Sequence, residues 1–338
     1  MRVILCMAAL LFSSLGQAAV VRDLYQVAVP VADQTQASRK PAVRAAFDAV
    51  VVKVSGTRDS LTNPAIAAAA DSAETLISSL RYERDPASGE LRLEVGFMET
   101  PVQAMLEQSG APVWGASRPQ TALWLVEDTG SGRNAVSPEN LNWAQALRAA
   151  MRTRGVPLLL PSWDLEDDMA LPLARLWGLF EQDIAAAAQR YPADAYLAGR
   201  ILGNDQALSF AGYLQSGTER TPVQLSAADA AGLAAAIADM LAEQYSDRYA
   251  VVALPQELAA GGQVIRVSGV DGFSAYRRLI DYLGAHVAIR GLRVLRVSGS
   301  EVTLSVDTAS SWTQAWDVLA LDKKLTVAEG ADTYVWLP

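Results

Sequence analysis

Cysteine and histidine are almost missing from this chain. Cys6 is the only thiol and His286 the only imidazole in 338 residues. Because Cys6 sits inside an N-terminal apolar run, the body of the chain has no thiol. That excludes a disulfide framework, a thiolate nucleophile and cysteine-ligated metal there. One imidazole cannot supply the multi-histidine set of a zinc site. A serine–histidine triad would have to use His286, and no Gly-x-Ser-x-Gly elbow presents a serine. Lysine is scarce too, and none of Lys40, Lys53, Lys323 and Lys324 completes a Ser-x-x-Lys signature. Net positive charge is lacking: the formal charge is −9, which argues against nucleic acid or anionic lipid as a partner. After residue 18 no apolar run approaches the roughly 20 residues of a membrane span.

What is there begins with "MRVILCMAALLFSSLGQAAV". Arg2 precedes an apolar run from Val3 to about Leu15, and Gly16 and Ala18 stand at −3 and −1 of a cut after Ala18. That is the pattern of a secretory signal peptide over 1–18. A soluble body behind such a signal leads to the expectation of a periplasmic protein. It would be held together by core burial alone, for which the chain is ample.

Three segments mixing helix and strand are expected after the signal: 19–117, 118–248 and 249–338. In the first, Val43, Phe47, Val50, Val51 and Val54 recur with helical period, predicting a helix over 37–54 that Gly56 ends. An alanine-rich helix is expected over about 64–78, then a hairpin turning at Pro86–Gly89. "SGAPVWGASRP" reads as a junction. The second segment alternates the strand "TALWLVED", a helix near 138–154, the strand "VPLLLP" and a helix at about 173–191. An antiparallel meander turning at "GNDQ" and a helix at 227–246 follow. In the third segment the order β-α-β-β-α-β is that of the ferredoxin-like split unit. The expected fold class is therefore mixed α+β and α/β, as three small modules in series.

The loop 128–137, "DTGSGRNAVS", stands between a strand and a helix but lacks the Gly-Lys-Ser/Thr of a phosphate cradle and a third glycine at the helix start. Gly130 and Gly132 are expected in a surface turn, with Ser137 capping the helix and Pro138 at its first position. His286, at a helix end, reads as structural. In "WDLEDDM", Asp164, Glu166, Asp167 and Asp168 could offer oxygens to calcium, but the EF-hand order is missing. Asp164, Glu166 and Asp167 are the residues singled out, as exposed contact candidates. Arg293 and Arg296 are expected on opposite faces of their strand, and no aromatic decorates the central strands of the third segment for base stacking. Trp312 and Trp316, four apart on one helix face, read as core, with sugar binding as the competing reading.

Three stretches, "RPQTALWLVED", "RGVPLLLPSWDLEDD" and "RYPADAYLAGRI", resemble a group of secreted proteobacterial proteins. That group is catalogued as a domain of unknown function, number twenty sixty-six. "LYQVAVPVADQTQASR" and "FDAVVVKVSGTRD" resemble the same family. The resemblance implies envelope export, with no established reaction and no catalytic residues. By fold alone, 118–248 looks like the N-terminal domain of the Tol translocation protein and the lipoprotein activators of peptidoglycan synthases, which act by binding proteins. No cofactor is expected. The function expected is a non-catalytic adaptor for an envelope protein or complex. A glycan or small-molecule binding module stands as the alternative, and a carboxylate-dependent hydrolase behind it.

Overall fold

The computed structural model describes residues 19–85, 89–204, 207–253 and 262–337. The expected signal peptide lies outside the described residues, as do parts of the expected turns at 86–89 and 203–206. Strand β1 (Ala19–Val20) precedes β2 (Gln26–Pro30) and helix α1 (Gln36–Ser55). All five apolar residues picked out on α1 are buried, and Gly56 ends it in the left-handed region at φ 80°. The alanine-rich helix α2 (Pro64–Asp71) is shorter than expected. Its continuation tightens into a 3-10 turn at Ala73–Leu76 and becomes β3 (Ile77–Arg84), which pairs with β4 (Leu91–Phe97). Helix α3 (Glu99–Gln108), with Val102 and Leu106 buried, was not foreseen. The three strands order as β2-β4-β3, and α1 covers one face through Phe47 against Phe97.

In the next stretch, β5 (Ser117–Arg118) pairs back with β1. Strand β6 (Thr121–Asp128) then folds on β7 (Arg133–Ala135), and α4 (Leu141–Arg154) leads to the short β8 (Leu158–Leu159). The single helix expected over 173–191 is broken. α5 (Leu165–Ala170) precedes α6 (Leu173–Trp177) and α7 (Glu181–Ala188), because Leu179 adopts φ 53° and turns the chain between them. Phe180 consequently stands half-exposed. The meander β9 (Ala195–Asn204), β10 (Ala207–Ser216), β11 (Glu219–Ala227) ends in α8 (Ala230–Tyr249). The sheet order is β11-β10-β9-β6-β7, with β6 parallel to both β8 and β9 and the meander antiparallel. Parallel pairing at the centre explains why β6 is buried on both faces from Thr121 to Val126.

The last stretch runs β12 (Gln263–Ser268), α9 (Gly272–Gly284), β13 (Ile289–Ser298), β14 (Glu301–Thr308), α10 (Trp312–Leu321), β15 (Leu325–Val327) and β16 (Thr333–Trp336). Its order is β13-β14-β12-β16-β15. This is the split unit with one strand more than expected. β15 and β16 form a terminal hairpin, and its returning arm β16 lies parallel to β12. The whole is a mixed α/β protein whose three principal sheets come from consecutive stretches. No helix among the described residues is long and apolar enough to cross a membrane.

Candidate functional site

Residues 128–137 turn out to be a hairpin and not a strand-to-helix loop. β7 pairs with the end of β6, Asp128 Oδ1 accepts the Gly130 amide at 2.9 Å, and Gly130 takes the turn at φ 78°. Helix α4 starts six residues beyond the end of β7, capped by Asn140 in place of the expected Ser137. Ser137 Oγ instead accepts from Glu139 N at 3.2 Å. The strand β7 takes up the residues that would have aimed amides at an anion, so no cradle forms.

The acidic run has the most built geometry. Asp164 caps α5, accepting from Asp167 N at 2.9 Å. Arg190, from the end of α7, reaches all three singled-out carboxylates: Asp164 at 3.2 Å, Glu166 at 3.0 Å, and Asp167. The hydrogen bond from Arg190 is the main cause holding the Asp164 carboxyl down to about 2. Asp167, expected as an exposed contact, is fully buried; it also accepts from Tyr191 Oη and, at 3.0 Å, from Trp163 N. Beneath it, Trp163 and Tyr191 pack edge-on against Trp124. The run is thus a latch in which one arginine and one tyrosine satisfy the carboxylates, as buried charge requires. Only Asp164 and Glu166 of the three stay exposed. Beside them Leu165 and Met169, four apart on α5, project into solvent at 76% and 75% exposure.

Next to the latch is a cleft of about 770 Å³ lined by Arg190, Tyr191, Asp194, Tyr196, Arg220 and Lys323. Its charges are already paired: Lys323 with Asp194 at 2.8 Å, and Arg220 with Glu181. Asp194 also accepts the Gln120 amide at 2.9 Å. The cleft offers rings and hydrogen-bonding groups but no nucleophile beside a base.

The His286 side chain is buried just past the end of α9, where its Nδ1 accepts from Ala288 N at 3.3 Å and its Nε2 lies 3.8 Å from Asp322. Burial pushes its pKa below the usual imidazole range, against the pull of Asp322. Burial and then Asp322 push the neighbouring Tyr282 hydroxyl up. Trp312 and Trp316 are half-buried against the third core, both packed on Tyr334, and Trp312 Nε1 donates to its hydroxyl at 3.2 Å.

Sequence reading missed a cluster of buried cations between the first two sheets. Arg118, fully buried, donates to five carbonyls, those of Lys53, Trp114, Gly115, Arg154 and Gly155, at 2.8–3.1 Å. Its guanidinium also lies 3.7 Å over the Trp114 ring. Lys53 Nζ donates to the Asp23 and Gln26 carbonyls at 2.8 and 3.1 Å, and burial pushes its pKa down to about 8. Arg154 donates to Gly56 O at 2.8 Å and pairs with Asp239 at 2.9 Å. Arg118 and Trp114 thus sit as a buried wedge within the stretch that joins the first two sheets. "SRP" carried no signal for this, since a fan of backbone acceptors leaves no pattern in side chains.

A family profile described as a domain of unknown function, DUF8605, matches residues 18–115. The coarser expectation, a family of unknown function, holds for that stretch. No curated protein matches the chain. Among solved structures, a formyltetrahydrofolate deformylase from Pseudomonas putida KT2440 is similar over 51% of this chain and 82% of its own. With 9% identity and a TM-score of 0.13, that likeness carries no argument.

Proposed function

We propose that this chain is a periplasmic, non-catalytic adaptor that binds an envelope protein or complex. The observation that carries the reading is the pair Leu165 and Met169, held outward on a helix that the Arg190 latch fixes in place. Large apolar side chains presented on a locked element are the usual anchors of a protein interface, because little ordering entropy remains to be lost on docking. Each contributes roughly 1.5–3 kcal/mol when taken out of water. The buried cations Arg118 and Lys53 are committed to main-chain carbonyls, and burial pushes both below their ordinary ranges. Export by a cleaved signal, membership in the secreted family numbered twenty sixty-six, and kinship of 118–248 to the Tol and synthase-activator domains belong to the same proposal.

The test is crosslinking in living cells with a photoreactive residue at Glu166, followed by mass spectrometry. One dominant envelope protein is expected, and it should be lost in a Leu165→Asp/Met169→Asp variant. Turnover of an envelope substrate by the purified protein would overturn the reading. A second reading, glycan or small-molecule binding, is favoured by the ring-lined cleft beside Tyr191 and Tyr196. It predicts that peptidoglycan fragments quench tryptophan fluorescence saturably, and that Tyr196→Ala abolishes the change.

A further inference from the structure

Strand β13 is ten residues long and, among the described residues, pairs on one side only, with β14. Half of its backbone hydrogen-bonding groups therefore face outward. The two-residue period would place Arg293 and Arg296 on opposite faces, but Leu295 is bulged out of register. Arg293 consequently stands opposite Ser305 and Arg296 opposite Thr303, both on the face that α9 and α10 do not cover. β12 sets Arg266 against the same Thr303. All three arginines are exposed, and none has an ion-pair partner among the described residues.

The opposite face of β13 is apolar. Val294 and Val297 align with the buried Leu304 and Val302, yet they are 38% and 57% exposed, with no further strand among the described residues on that side. The exposed Phe273 sits at the start of α9, at the same end of the sheet, where Val270 N donates to Ser300 O.

We propose that β13 accepts an extended acidic segment of a partner protein as a sixth strand of this sheet. Carboxylates on one side of that segment meet Arg293 and Arg296, and apolar side chains on the other cover Val294 and Val297. Main-chain bonds of such an added strand supply affinity, and the alternating side chains supply selectivity. A bulge and a row of charge usually guard an edge against pairing. Here the guard is selective by sign. A second copy would bring arginine against arginine, which destabilises a cross-strand pair, while an acidic strand gains at the same positions. Although the chain as a whole is acidic, screening confines that field to about 8–10 Å, and on this face Arg266, Arg293 and Arg296 outnumber Glu301 and Asp307 of β14.

This inference rests on the adaptor reading and gives the chemistry of its partner. The probe is a capped ten-residue peptide alternating Glu and Val, titrated into the full chain, with a Lys–Val peptide of the same length as control. The Glu–Val peptide is expected to bind saturably and to slow amide exchange over 289–298. Its affinity is expected to fall about tenfold or more in Arg293→Glu/Arg296→Glu, two exposed changes that leave the melting temperature in place. Equal binding of both peptides, no binding of either, or binding without protection of 289–298 would each overturn the proposal; the last would indicate simple anion capture on the arginine face. A partner crosslinked at Glu166 with no peptide effect at β13 would refute strand addition and leave the adaptor reading standing.

Discussion

At the scale of single residues, Arg118 does what no other side chain type could do in its place. A planar guanidinium has five N–H donors in a fixed fork, and here they meet five carbonyls, from the ends of α1 and α4 and from the connection at Trp114 and Gly115. Arg118→Met would leave those acceptors unpaired in a dry site. Destabilisation of roughly 3–5 kcal/mol is expected in urea unfolding, with Arg118→Lys recovering only part of it. Lys53 gives a pH signature. Burial lowers its folded-state value to about 8 from 10.5, so between those limits the folded protein holds fewer protons than the unfolded chain. Stability from this group therefore rises with pH across that window, the reverse of a lysine stabilised by a carboxylate. Unfolding measured at about pH 7.5 and 9.5 should show the rise, and Lys53→Met should remove it.

Among the elements, α5 shows how the surroundings of a short helix stabilise it. Six residues cannot hold a helix in water, and α5 persists through its Asp164 cap and the Arg190 bridge. Arg190→Ala would strand the buried Asp167 without its cation. A local loss of stability is expected, read as faster amide exchange over 163–171 while distant strands stay protected. Asp164 has its value depressed from 3.8 to about 2, so its contribution is complete above the unfolded value and lost as pH falls through the folded one. Exchange over α5 should accelerate between about pH 4 and 2 before the cores respond. At α10, Trp312→Ala/Trp316→Ala should cost several kcal/mol, since both rings pack on Tyr334. Unchanged stability would return those rings to the sugar-binding alternative.

For the whole molecule, the three sheets are distinct but the cores between them are shared. Ala315, Val318 and Leu321 of α10 pack in one cluster with Leu233, Ile237 and Leu241 of α8, and Gln314 donates to Ala250 O at 2.7 Å. Between the first two sheets, Trp114 N donates to Val54 O at 2.7 Å, and Gly56 touches the Ser246 side chain so closely that an added Cβ would lie 2.2 Å from it. Gly56→Ala combines that clash with a positive φ. It should lower stability by roughly 2–4 kcal/mol and destabilise the first two sheets together, in one transition by calorimetry.

The sequence by itself determined α1, β6, β9, β10, α8 and the split unit of the third sheet, because helical and alternating periods are local properties that burial then obeys. It also put His286 at a helix end and the tryptophan pair on one helix face, where His286 follows α9 and both rings pack on Tyr334. Long-range contacts decided the rest. The 173–191 helix broke at a left-handed Leu179, and loop 128–137 closed as a hairpin because β6 offered an edge at its far end. One bulge at Leu295 brought two arginines onto one face, against the simple period. Asp167 left the surface because Arg190 and Tyr191, more than 20 residues away, converge on it, and Arg118 found five carbonyls that no side-chain pattern records. Charge and hydrogen bonding act through space, so only the tertiary structure could show which groups are satisfied and which remain free to meet a partner.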